Sequence, residues 1–198
     1  MDFRTDRLGV LLDQLATSVD MSRARFEGLT DEEHLWEPAQ PAWSVRRRDA
    51  AVSARPIGLG DWVLDYDRDP DPPPVTTIAW RIGHLIDMFE SRWHWTFGPR
   101  STDPRQLADF TPAAREALDR LWAQTDRWLD AAAKLTDDQL DQVGFGQYPY
   151  GLDPQLPFIA ILWWMNREFI HHAAEVAVLR DLYATAARTG SSSTSSSR

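Results

Sequence analysis

Four segments of this chain place apolar residues at three- and four-residue steps, a spacing that commits them to amphipathic helices packed against one another. The first runs from about Thr5 to Glu27, where Leu8, Leu11, Leu12, Leu15, Val19 and Phe26 form one stripe and Gly28 ends it. The second, from about Thr76 to Phe97, carries Ile78, Ile82, Leu85, Ile86, Phe89, Trp93 and Phe97, and Gly98-Pro99 closes it. Thr111-Pro112 opens the third, a capping hydroxyl followed by proline at the first helical position; Leu118, Leu121, Trp122 and Leu129 face inward before it stops near Lys134. The fourth spans about Phe158 to Ala187. No segment of note alternates with the period of a half-buried strand. The expected fold is all-α, a four-helix bundle with long connections.

Punctuation between the helices supports this division. Thr30-Asp31-Glu32-Glu33 and Thr136-Asp137-Asp138-Gln139 are capping-box patterns that each start a short turn of helix, the first stopped by Pro38. From about Gln40 to Val75 the chain is broken by prolines and glycines, yet Trp43, Trp62 and Tyr66 give it apolar surface to pack. A connection of that length is usually functional or disordered, and it reads here as a lid or wall over one end of the bundle. A Gly/Tyr/Pro-rich link from Gly144 to Pro157 precedes the last helix. One domain over residues 1–187 and a disordered Ser-rich tail over 188–198 are expected.

Composition narrows the function. The net charge of −9 and pI near 4.9 disfavour binding to nucleic-acid phosphates or anionic membranes. There is no run of about 18 apolar residues to span a bilayer, and the first residues lack a signal-peptide pattern. With no cysteine there is no disulfide framework and no thiolate nucleophile, so a cytoplasmic location is the default. Ten tryptophans are the outlier, read first as core and second as the walls of an aromatic pocket.

The chemistry concentrates in Glu168-Phe169-Ile170-His171-His172 and in His84. Residues four apart share a helix face, so Glu168 and His172 can aim a carboxylate oxygen and an imidazole nitrogen at one point. His84 on a facing helix would add a third donor. All three sit among apolar neighbours, where polar groups need partners, and a common divalent metal with one open position would supply them. A plain polar pair on the helix is the alternative. His171 is turned about 100° from His172 and belongs behind the site or in solvent. Glu175, near His172, reads as a partner behind the ligands, a general base or a surface acid. His34 and His94 read as ordinary core or surface histidines, and Arg46-Arg47-Arg48 as a solvated charge run before an anion site.

Thr76-Thr77-Ile78-Ala79-Trp80-Arg81-Ile82-Gly83-His84-Leu85, together with Asn166-Arg167-Glu168-Phe169-Ile170-His171-His172-Ala173-Ala174-Glu175 and Leu179-Arg180-Asp181-Leu182-Tyr183, resembles the DinB-like superfamily of metal-binding four-helix bundles. That group includes the N-terminal domain of mycothiol-dependent maleylpyruvate isomerase. The resemblance extends through about Tyr183 and implies metal ligands at His84, Glu168 and His172. Many members carry three histidines; Glu168 is similar to the His, Glu, His set of the thiol-dependent branch.

It further implies zinc or nickel, and for some members S-transfer or isomerisation with mycothiol or another low-molecular-weight thiol. The expected partners are a small-molecule substrate or thiol, with no nucleic acid and no membrane, and a homodimer is an open alternative to a monomer. The competing expectation is a noncatalytic metal-binding bundle with a stress-related or partner-binding role.

Overall fold

A computed structural model describes residues 6–100, 109–146 and 153–193. Five helices occupy them: α1 (Arg7–Phe26), a short α2 (Asp31–Leu35), α3 (Ile78–Thr96), α4 (Ala114–Ala132) and α5 (Phe158–Ser193). α1 packs on α4 and α5, and α3 packs on the same two, so the four long helices close a ring around one core. This is the expected all-α bundle. Leu15, Phe26, Ile82, Leu85, Leu121 and Phe169 are fully buried, each removing enough apolar surface for about 1.5–3 kcal/mol. Phe89 meets Trp128 and Phe169 edge to face, both at 6.2 Å between ring centroids.

Helix starts follow side-chain oxygens. The Asp6 carboxylate accepts from the Gly9 amide at 2.7 Å, and the Thr77 hydroxyl from the Trp80 amide at 3.1 Å. α4 departs from the Thr111-Pro112 reading: it begins at Ala114, and its Ala114 amide donates to Asp31 Oδ1 at 2.8 Å. A carboxylate from α2 thus caps the helix at long range, while the Thr111 hydroxyl accepts from the preceding Ala113 amide at 3.2 Å. The Thr30 capping box is half made, because the Glu33 amide donates to the Thr30 hydroxyl while the Glu33 carboxylate pairs with Arg180 at 2.7 Å. Thr136 and Gln139 form the full box, and the turn they open is a 3₁₀ helix over Asp137–Asp141. α5 continues past Ala187 to Ser193. Residues 147–152 of the expected link and 194–198 of the expected tail lie outside the described residues.

The 40–75 connection contains what the sequence reading left out, a hairpin of two short strands. β1 (Val45–Arg47) pairs antiparallel with β2 (Trp62–Leu64), Val45 opposite Leu64. Three-residue strands are too short to show an alternating pattern, and side-chain bonds hold them instead. Asp65, fully buried, accepts from the Ser44 amide (3.1 Å) and Arg46 Nε (2.9 Å) through one oxygen, and from the Val52 (2.9 Å) and Ser53 (3.2 Å) amides through the other. Four donors offset the cost of burying that carboxylate. The apolar side of the hairpin, Val45 and Leu64, packs on Ala79 and Trp80 of α3 and on Phe110. Gly83 permits the approach, since a Cβ there would stand 2.9 Å from Leu64 Cδ1. The connection is a wall against α3, in keeping with the lid-or-wall expectation.

Candidate metal centre

α3 and α5 lie side by side, and the site is built across their contact. Glu168 and His172 are one turn apart on α5, and His84 reaches them from α3. One donor atom from each of the three lies within 4.8 Å of the others. The His84 and His172 rings are 4.8 Å apart and nearly perpendicular at 86°, while His172 Nε2 stands 3.4 Å from Glu168 Oε2. Burial, the neighbouring His172 and Arg81 together push the His84 pKa down to about 3, so its imidazole is neutral with a free lone pair at ordinary pH. Burial alone would raise the Glu168 carboxyl. The adjacent His172 ring and Arg167 guanidinium outweigh it and hold the group at about 2, an anion at any working pH. Two imidazole nitrogens and one carboxylate oxygen are the donor set that a divalent metal with an open position takes.

Behind these residues stands a second layer. His172 Nδ1 is 2.6 Å from Glu175 Oε2. Arg81 Nη1 also approaches Nδ1, at 3.3 Å, but guanidinium can only donate, so both contacts cannot be good bonds to one nitrogen. The shorter contact assigns the proton to Nδ1, donating to Glu175, and Arg81 instead compensates the carboxylate by its 3.1 Å ion pair with Glu175. The tautomer then leaves Nε2, on the His84 and Glu168 side, with its lone pair available. A carboxylate behind a histidine in this manner orients the ring and raises its basicity.

His171, exposed as expected, touches the other Glu175 oxygen at 3.3 Å and takes no place among the three donors. Of the three readings of Glu175, the geometry supports the one behind the ligands.

Trp80 forms the floor. Its ring stacks on His84 at 5.1 Å and 8°, and its indole N–H donates to the Asp65 carbonyl at 2.7 Å. Arg81 lies over the same indole, 5.0 Å from the ring centroid. Sequence reasoning gave Arg81 no role and reached Trp80 only as one of ten tryptophans, although Trp80 precedes His84 by one helical turn. The aromatic-pocket reading of the tryptophans is met here in one residue, while Trp128 is buried in the core.

His34 is a core histidine, fully buried, and its pKa falls to about 4, chiefly through burial, with Asp31 and the Thr111 backbone offsetting part. His94 sits against Trp93, away from the cluster. Arg46 departs from the solvated reading: it is tied to Asp65, to Glu37 at 2.7 Å and to the Ala42 carbonyl at 2.5 Å, and braces the hairpin.

These donors suit a divalent metal on their own chemistry: one nitrogen already has its tautomer fixed, the second is held neutral, and the oxygen is anionic. No similar curated protein and no similar solved structure is found. A family model described as the DinB superfamily matches residues 14–176, a stretch that includes His84, Glu168 and His172. With the helical ring and the three convergent donors beside that match, the chain belongs to the DinB superfamily.

Proposed function

We propose that this protein is a metal-dependent enzyme that uses a low-molecular-weight thiol, of the mycothiol kind, in S-transfer to or isomerisation of a small electrophile. The convergence of His84, Glu168 and His172 on one point, with Glu175 fixing the His172 tautomer, carries the reading. His84, Glu168 and His172 would hold zinc or nickel. A divalent ion bound by such a set supplies a Lewis acid that favours the thiolate form of a thiol at neutral pH. The protein's share is positional. Glu168 contributes the one negative charge among the three ligands, leaving net positive charge for an anionic sulfur. Trp80 keeps water from one side of His84 and fixes the plane of its ring.

The test is spectroscopic first and chemical second. Cobalt-loaded protein should change its visible spectrum when a small thiol is added, and Glu168→Ala should abolish the change. Thiol-dependent consumption of an electrophilic substrate should disappear with the metal and return when it is restored. Cobalt spectra that ignore every thiol, together with conjugation rates indifferent to metal, would replace this reading with the noncatalytic metal-binding bundle.

A further inference from the structure

The Arg81 guanidinium has hydrogen-bonding capacity that it does not use. Its Nε stands 3.1 Å from Glu175 Oε2, close enough for an ion pair, yet the N–H is not aimed at that oxygen and Nε has no hydrogen-bond partner. Nη1 lies 3.3 Å from His172 Nδ1, whose proton already goes to Glu175 at 2.6 Å, so it meets no lone pair there. Among the described residues no other acceptor bonds Nη1 or Nη2. Burying a charge without bonds is costly, and burial pulls the Arg81 pKa down with only Glu175 opposing it. What holds the group is the face of Trp80, 5.0 Å away.

Position gives that capacity a use. Arg81 and His84 are three residues apart on α3 and share a helix face, so the spacing between the cation and the metal donors is set by helical geometry rather than by a loop. The guanidinium lies on the Nδ1 side of the His172 ring, one imidazole width from the Nε2 lone pair beside His84 and Glu168. Nε is shut from water, but the side chain as a whole is 20% exposed, so a dissolved ligand reaches it. The other cation at the cluster is committed: Arg167 is hydrogen-bonded to Glu168 and lies over the Trp163 ring.

We propose that Arg81 selects the charge of the ligand at this site, taking the carboxylate of a short molecule whose other end occupies the open metal position; this rests on the metal-dependent reading above and adds a substrate class to it. A guanidinium presents its N–H groups as a planar fork that matches the two oxygens of a carboxylate, which the point charge of a lysine does not. The ligand has one imidazole width to bridge, a chain of about two or three carbons at about 1.5 Å per bond. A carboxylate on the thiol and a carboxylate on the electrophile would use the same fork.

Binding to cobalt-loaded protein, followed in its visible spectrum, tests this with 3-mercaptopropionate and its methyl ester. The acid should bind about 10–100-fold more tightly, the range of charge-assisted hydrogen bonds. Arg81→Met should erase the preference and Arg81→Lys should keep only part of it, both with cobalt stoichiometry and helical circular dichroism unchanged; Arg81→Lys carries the comparison if Arg81→Met does not fold. Calorimetry of propionate against propionamide, with 2-mercaptoethanol already on a zinc-loaded site, identifies the source. A preference for propionate there assigns the carboxylate to the electrophile, and a preference confined to 3-mercaptopropionate assigns it to the thiol. The same two probes without any thiol separate this role from thiol chemistry: if cobalt spectra ignore every thiol, propionate should still outbind propionamide through Arg81. Acid and neutral probes that bind alike in the unaltered protein overturn the role of Arg81. So does a preference for the acid that survives Arg81→Met, since the metal would then be taking the carboxylate directly.

Discussion

At the scale of single residues, the metal reading distinguishes neighbours that sequence similarity would treat alike. His172→Ala should abolish stoichiometric metal binding, whereas His171→Ala should leave most of it, because His171 meets Glu175 from the solvent side and contributes no donor to the cluster. Glu175→Gln keeps the shape but weakens the acceptor for His172 Nδ1–H, and should lower metal affinity by about 10–100-fold in a chelator competition titration. Equal losses at His171 and His172 would show that the wrong ring was assigned.

His34 makes a different prediction. Its pKa is about 6.5 in the unfolded chain and about 4 in the folded one, so on acidification the unfolded state takes up the proton first. Stability therefore falls as pH drops from 6.5 towards 4, by at most about 3 kcal/mol from this group, and levels off below. His34→Leu should flatten that limb in urea unfolding measured at several pH values. An unchanged slope would mean that His34 is charged, or that other groups carry the limb.

Elements were legible in proportion to their length. Each of the four long helices covers several turns of stripe, so the repeat identified it and fixed the inward face, and with that face went Glu168 and His172. His84 followed from the same pattern, being polar in an apolar stripe. Ends and short pieces depend on contacts that sequence spacing does not encode. Asp31 caps α4 across a long stretch of chain, Glu33 leaves its own box for Arg180, and β1 and β2 exist because Asp65 gathers four donors. A buried carboxylate in a Pro-rich loop gives no signal in one dimension. Glu175 could be suspected because it lies three residues from His172 on the same helix; that it engages Nδ1 and Arg81 needed three dimensions.

For the molecule as a whole, the bundle and the hairpin wall are two bodies packed together, with Trp80 among the contacts that join them. No described helix is long and apolar enough to cross a membrane. The two edges of the Trp80 indole serve different masters: its N–H holds the Asp65 carbonyl, and its face holds the His84 ring. Thermodynamic reciprocity then applies. If an ordered hairpin favours the His84 orientation that binds metal, metal must favour the ordered hairpin by the same free energy. Loading with zinc should slow hydrogen exchange at the Leu64 and Ile57 amides, which bond to each other's carbonyls at 2.9 and 3.0 Å, and Trp80→Ala should remove that protection. Identical exchange with and without zinc would separate the two bodies. Under reciprocity, the occupancy of a site on α3 and α5 is legible from the breathing of a loop that supplies it no ligand.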